Sequence, residues 1–193
     1  EHVAVIATLD RLLPGGGGAP YEVAFGDSQY LLFHAVGAVL ARVLRGDSIL
    51  ANRLLFALVA VMWPVSTRSL LRAAGRDERL AIFASMVFWN RATIVGLEPY
   101  VASVPLAIYG LALVVRQLET PTRRRALGLG ALALFVFYTH ASSYVLFALT
   151  AGVLTLAVVA RDRGKTWRRG AAIGAALVPS AIAAAAWWRA GSL

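Results

Sequence analysis

Apolar residues in this chain come in long blocks, separated by short connectors built from Gly, Pro, Asp and Arg. Residues 2–13 read as a short amphipathic helix, with Val3, Ile6, Leu9 and Leu13 at helical spacing and Asp10 on another face. Pro14 and the run Gly15 to Gly18 end it and open a loop to about residue 26. Asp27-Ser28 suits the N-cap of a helix over 28–45, and Asp47-Ser48 opens an apolar span over 49–71. Further apolar spans are predicted over 80–95, 99–115, 126–139, 142–160 and 170–188. Pro64, Pro105 and Pro179 fall inside spans, where proline is better tolerated than in soluble helices. The pattern predicts an all-α, polytopic transmembrane helical bundle, one domain over 1–193. An outer segment with juxtamembrane helices occupies 1–45, and about six membrane helices occupy 46–193.

Composition supports this reading. Hydrophobic residues make up 59% of the chain and charged residues 15%, against roughly 25% in an ordinary soluble domain. The net charge of +9 does not point to nucleic acid, because the basic residues gather where connectors meet the apolar blocks. The connectors after 49–71, 99–115 and 142–160 hold 13 of the 19 basic residues, which assigns that side to the cytoplasm. The opposite connectors, near 46–48, 96–98 and 140–141, are poor in charge but carry Glu98 and His140. The 28–45 segment has only short apolar runs and holds His34 in its middle, so it is expected to lie along the outer membrane face without crossing. With no cysteine, disulfides, thiolate metal sites and cysteine nucleophiles are excluded. The chain begins at Glu1 rather than Met and ends just past Trp187-Trp188-Arg189, so both ends are expected to be cut from a longer protein.

Outside the cytoplasmic connectors the acids are Glu1, Asp10, Glu22, Asp27, Asp47 and Glu98. An ionisable group at membrane depth points to function. Plain structural roles compete for the same residues. Glu98 before Pro99 suits the cap of the next span, Arg53 and Arg91 suit snorkelling or pairing with an outer acid, and His140 suits a hairpin. Trp187 and Trp188 suit the aromatic belt of a membrane interface. Gly128-Leu129-Gly130 lies inside an apolar span with no preceding strand, so it reads as helix packing rather than a nucleotide loop.

The order of segments resembles the N-terminal half of the GT-C glycosyltransferases, in particular the lipid A aminoarabinose transferases and protein O-mannosyltransferases. The resembling stretches are Glu1-His2-Val3-Ala4 with its helix, then Gln29-Tyr30-Leu31-Leu32, then Ala51-Asn52-Arg53-Leu54. Gly96-Leu97-Glu98-Pro99 before Val104-Pro105-Leu106, and the hairpin at Tyr138-Thr139-His140, are similar too. The resemblance covers the whole chain but is one of segment order. An acid expected just before Glu1 lies outside it, and the second acid is Glu where Asp is more usual.

The resemblance implies transfer of a sugar from a polyprenyl-phosphate donor to an acceptor on the extracytoplasmic face of a plasma or inner membrane, as part of cell-envelope chemistry. Glu1 and Glu98 would be the catalytic carboxylates, and His2, Arg53, Arg91 and His140 the substrate-binding groups. A divalent metal ion, held through Glu1 if at all, is the one cofactor it suggests. A polytopic transporter or flippase and a catalytically inactive membrane scaffold are the competing readings. Single cysteines at positions 16 and 96 should both react with a membrane-impermeant thiol reagent in intact cells; protection of both would reverse the assigned orientation.

Overall fold

The structure is a computed structural model that describes residues 2–12 and 30–190. These are helical, with no strand among the described residues. In chain order the helices are α1 (His2–Leu12), α2 (Leu31–Val43), α3 (Ser48–Ala73), α4 (Ala84–Phe88), α5 (Arg91–Ile94), α6 (Glu98–Glu119), α7 (Arg123–Thr139), α8 (Ala141–Arg161) and α9 (Trp167–Ala190). A 3-10 segment, Glu78–Phe83, precedes α4.

Four of these, α3, α6, α8 and α9, are long and apolar enough to cross a membrane. At about 1.5 Å per residue even the 21 residues of α8 reach the roughly 30 Å of a hydrocarbon layer. Large apolar side chains such as Leu58, Val61, Leu149, Val153, Leu156 and Ile182 stay exposed on them. Such faces are consistent with a multi-pass membrane protein in a lipid bilayer. Helix α7 has 17 residues and α2 has 13, so α2 reaches only about 20 Å and is too short to cross.

The 80–95 segment, expected as one apolar span, is instead the 3-10 segment, α4 and α5 in succession. Its path still runs the length of α3. Glu78 is clasped by Arg68 and Arg72 near the α3 C-terminus, Phe88 packs on Phe56 and Trp63 in the middle of α3, and Glu98, just past the segment, meets Asn52 near the α3 N-terminus. Asn90 explains the break. Its side chain accepts from the Ala92 and Thr93 amides and donates to the Val87 carbonyl, while the Thr93 hydroxyl donates to the Phe88 carbonyl. Short polar side chains thus compete with helix continuation and satisfy the groups that it frees.

Interhelix contacts set the directions. Ser69 meets Arg116 and Ser103 meets Ser143, so α3, α6 and α8 share one direction. Gly130 meets Ala176 and Phe137 meets Trp187, so α7 and α9 return together. The bundle therefore has an arginine end and a glutamate end. Helix α6 is the axis: it packs against α3, α5, α7, α8 and α9, and half of its apolar stretch is buried. One core links Val114, Leu118, Leu129, Val136, Phe147 and Ile173; a second links Phe33, Leu55, Val59, Trp63, Phe88 and Val101.

At the arginine end the basic groups cover helix C-termini. Arg116 donates to the Ser69 carbonyl, Arg125 to the Arg116 and Thr120 carbonyls, and Arg169 to the Leu118 and Glu119 carbonyls. Glu78 takes a two-pronged contact from Arg72 at 2.6 Å and a third bond from Arg68 at 2.8 Å. These bonds hold its carboxyl at about 2, below the ordinary 4.5.

Helices α7 and α9 touch at Gly130, where an added Cβ would lie 2.8 Å from the Ala176 carbonyl oxygen. At Gly128, one half-turn away, an added Cβ meets nothing within 4 Å. Gly130→Ala should therefore cost about 1–3 kcal/mol through forced separation of the two helices. Gly128→Ala should leave stability equal or slightly higher through helix propensity. Thermal unfolding in detergent checks the pair, and equal midpoints would overturn this packing account.

Candidate functional site at the glutamate end

The glutamate end is built on the start of α6. Gly96, at φ +78, reverses the chain after α5, and the Leu97 amide closes back on the Ala92 carbonyl at 2.9 Å. A left-handed residue is favoured as glycine. The turn leaves the Gly96 carbonyl free to accept from a side chain. Glu98 is the first residue of α6, followed by Pro99, and its carboxylate sits in the first turn, where the helix dipole favours negative charge. Leu97, not Glu98, occupies the N-cap position, and no side chain caps this helix.

Glu98 Oε1 accepts from Asn52 Nδ2 at 3.4 Å, a long bond. Glu98 Oε2 and Asn52 Oδ1 are both buried without a hydrogen-bond partner. Two acceptors on facing helices thus lack donors at one spot, an arrangement that costs free energy unless a proton-bearing group fills it. Glu98 makes no ion pair among the described residues.

His2 is carried to this end by the packing of α1 on α2. Ile6 is fully buried and occupies the space over Gly37, where an added Cβ would lie 2.6 Å from its side chain. Asp10 with Arg42 ties the far end of the same seam at 3.2 Å. His2 Nε2 donates to the Gly96 carbonyl at 2.8 Å, His34 Nδ1 donates to the Tyr30 carbonyl at 3.0 Å, and the two rings meet through His2 Nδ1 and His34 Nε2 at 3.0 Å. Both carbonyls only accept, so both outer ring nitrogens donate.

His140 joins α7 to α8 in extended backbone, with its amide on the Val136 carbonyl and its own carbonyl accepting from Tyr144. Its ring lies edge-on to Tyr30 and to Tyr100, each 5.1 Å away, and its Nδ1 is buried without a partner. Two contacts therefore mark this end, His2 on the Gly96 carbonyl beside Glu98 and His140 on Tyr100 in the first turn of α6. Between α2 and α7 lies an apolar groove of about 400 Å³, lined by Leu31, Leu32, Ala35, Leu134, Phe135 and Tyr138.

Of the residues that the sequence singled out, Glu98, His2 and His140 gather at this end. Arg53 and Arg91 are exposed and pair with no acid among the described residues, so of the two structural alternatives the pairing with an outer acid is absent there. Glu1 lies outside the described residues, and with it the carboxylate expected to hold a metal. Among the described residues no three His, Asp or Glu side chains converge as metal ligands. Sequence reasoning gave no site role to Asn52, Tyr30, Tyr100 or His34. The signal for Asn52 was available: Ser48, Ala51, Leu55 and Val59 mark the buried face of α3, and Asn52 borders it while Arg53 turns away.

Burial disfavours the imidazolium of His140 and holds its pKa below the ordinary 6.5. The unfolded chain then takes up this proton at a higher pH than the folded one. Stability from His140 is complete above about pH 6.5 and declines as pH falls below it, until the folded ring also protonates. His140→Gln removes the group and should flatten part of the decline in unfolding midpoint between about pH 7.5 and 5; an identical slope in both proteins would overturn the assignment.

Compared with family models, with curated proteins and with solved structures, the chain finds no match, and the chemistry of this end carries the functional reading.

Proposed function

We propose that the chain belongs to a membrane glycosyltransferase that moves a sugar from a polyprenyl-phosphate donor to an acceptor hydroxyl at the glutamate end, on the extracytoplasmic face. The observation that carries the reading is the buried, unpartnered Glu98 Oε2 beside the unpartnered Asn52 Oδ1. A carboxylate in that state is ready to take a proton from an incoming hydroxyl. As Glu98 accepts that proton, the acceptor oxygen bonds to the anomeric carbon, and the carbon–oxygen bond to phosphate breaks with its electron pair leaving on the phosphate. His140, kept neutral by burial, would hydrogen-bond the sugar between Tyr30 and Tyr100. The apolar groove between α2 and α7 suits the lipid tail, and the sequence resemblance to GT-C enzymes points the same way.

One observation favours a transporter or flippase instead. The break at Trp89-Asn90 puts non-helical backbone partway along α3, and discontinuous helices are a device of transport proteins. The two readings differ in what Glu98 does. Glu98→Gln should lower transfer from a radiolabelled polyprenyl-phosphate sugar about 10²–10⁴-fold with folding intact. Full turnover in that variant would discard the catalytic role. Movement of the labelled donor across the bilayer without transfer would favour the transporter.

A further inference from the structure

At the arginine end, helices α6 and α7 enclose a groove of about 430 Å³. Its walls are Tyr109 and Leu113 from α6 with Gly128, Ala131, Leu132 and Phe135 from α7, and its mouth is Thr122, Arg124 and Arg125. From Arg124 to Phe135 it follows α7 for about 16 Å, close to the depth of one hydrocarbon leaflet. The groove is open to the side: an added Cβ at Gly128 meets nothing within 4 Å, and the neighbouring Leu127 is 75% exposed. Polarity is confined to the mouth. Arg125 spends one terminal nitrogen on the Arg116 and Thr120 carbonyls and keeps its other donors. Arg124 makes no hydrogen bond or ion pair to any described residue, and Glu119, the acid of this connector, pairs with neither arginine.

We infer that this groove holds one anionic phospholipid of the leaflet at the arginine end, its phosphate on Arg124 and Arg125 and one acyl chain along Gly128, Ala131 and Phe135. The inference rests on the bilayer reading of the long helices and not on glycosyl transfer. An apolar trough at helix depth is filled by hydrocarbon when the surrounding solvent is lipid. Guanidinium groups bind phosphate oxygens through paired N–H donors, which a lone ammonium does not match. Two guanidiniums without an acid partner favour a headgroup with net negative charge over a zwitterion. The site lies at the opposite end of the bundle from Glu98, so its occupant is structural to α6 and α7.

The test uses the protein in phosphatidylcholine nanodiscs with spin-labelled phosphatidylglycerol or spin-labelled phosphatidylcholine, and reads the immobilised fraction of each label. Phosphatidylglycerol should associate about fivefold more strongly per engaged arginine. Arg124→Gln should cut that preference about fivefold. Arg79→Gln, an exposed arginine at the same end but on another connector, should keep it. Gly128→Leu fills open space and is expected to fold, yet should abolish the preference by blocking the acyl path. Equal association of the two lipids with the unaltered protein would overturn the inference, as would equal losses in the Arg79 and Arg124 variants, which mean diffuse attraction. Retained preference in Gly128→Leu, or full displacement by soluble glycerol phosphate, would overturn the lipid assignment in favour of a plain phosphate site.

Discussion

Every part of this molecule answers to one constraint: backbone N–H and C=O groups placed in hydrocarbon must find partners inside the protein. Where a helix is continuous the ladder supplies them. Where it ends or breaks, a side chain must. At the break between α4 and α5 the partners are Asn90 and Thr93. At the start of α3 the partner is Asp47, which accepts from the Leu50 amide at 2.9 Å. At the end of α6 they are Arg125 and Arg169, which reach over from other elements. No side chain caps the starts of α2, α4, α6 or α8, and of these α6 is the exception in leaving its own acid with an unpartnered oxygen.

That exception is held in place by well-packed surroundings. Helix α6 is gripped by four other long helices along its length, and its first turns carry Glu98, Tyr100 and Ser103 to the glutamate end. Ser103 bonds the Tyr100 carbonyl and meets the Ser143 hydroxyl at 2.7 Å, so α8 is fixed to the same turn. The seam of Ile6 over Gly37 brings α1 in from the other side. Rigid elements thus surround one under-satisfied carboxylate, the arrangement that a preorganised site requires.

Much of the helical frame was legible in the sequence because long apolar blocks leave a chain few alternatives. The starts of α3, α6, α7 and α8 lie within a few residues of their predicted positions. The 80–95 segment was misread because hydropathy is an average and a break is local: Asn90 alone diverts the backbone, and its neighbours Phe88 and Trp89 keep the window apolar. Glu98 and His140 were legible as ionisable groups at the charge-poor end. Asn52, Tyr30 and Tyr100 carry no charge at neutral pH, so an inventory of charged residues and histidines passes over them. Beside the exposed Arg53, which charge made legible, it is the uncharged Asn52 that faces the carboxylate.

The arginine end serves two readers at once. Insertion machinery registers positive charge near the ends of apolar segments, and for that purpose lysine would serve as well. The folded bundle registers direction as well as charge: Arg125 and Arg169 each cover two carbonyls at the α6 C-terminus, and Arg72 grips both oxygens of Glu78. A planar fork meets both demands, while a single ammonium meets the first and only part of the second. Lys165 is the one lysine in the chain. Its basic vocabulary is therefore matched to folding as much as to orientation, and exchanging arginine for lysine at 72, 125 or 169 would preserve the topology signal while loosening the structure that it accompanies.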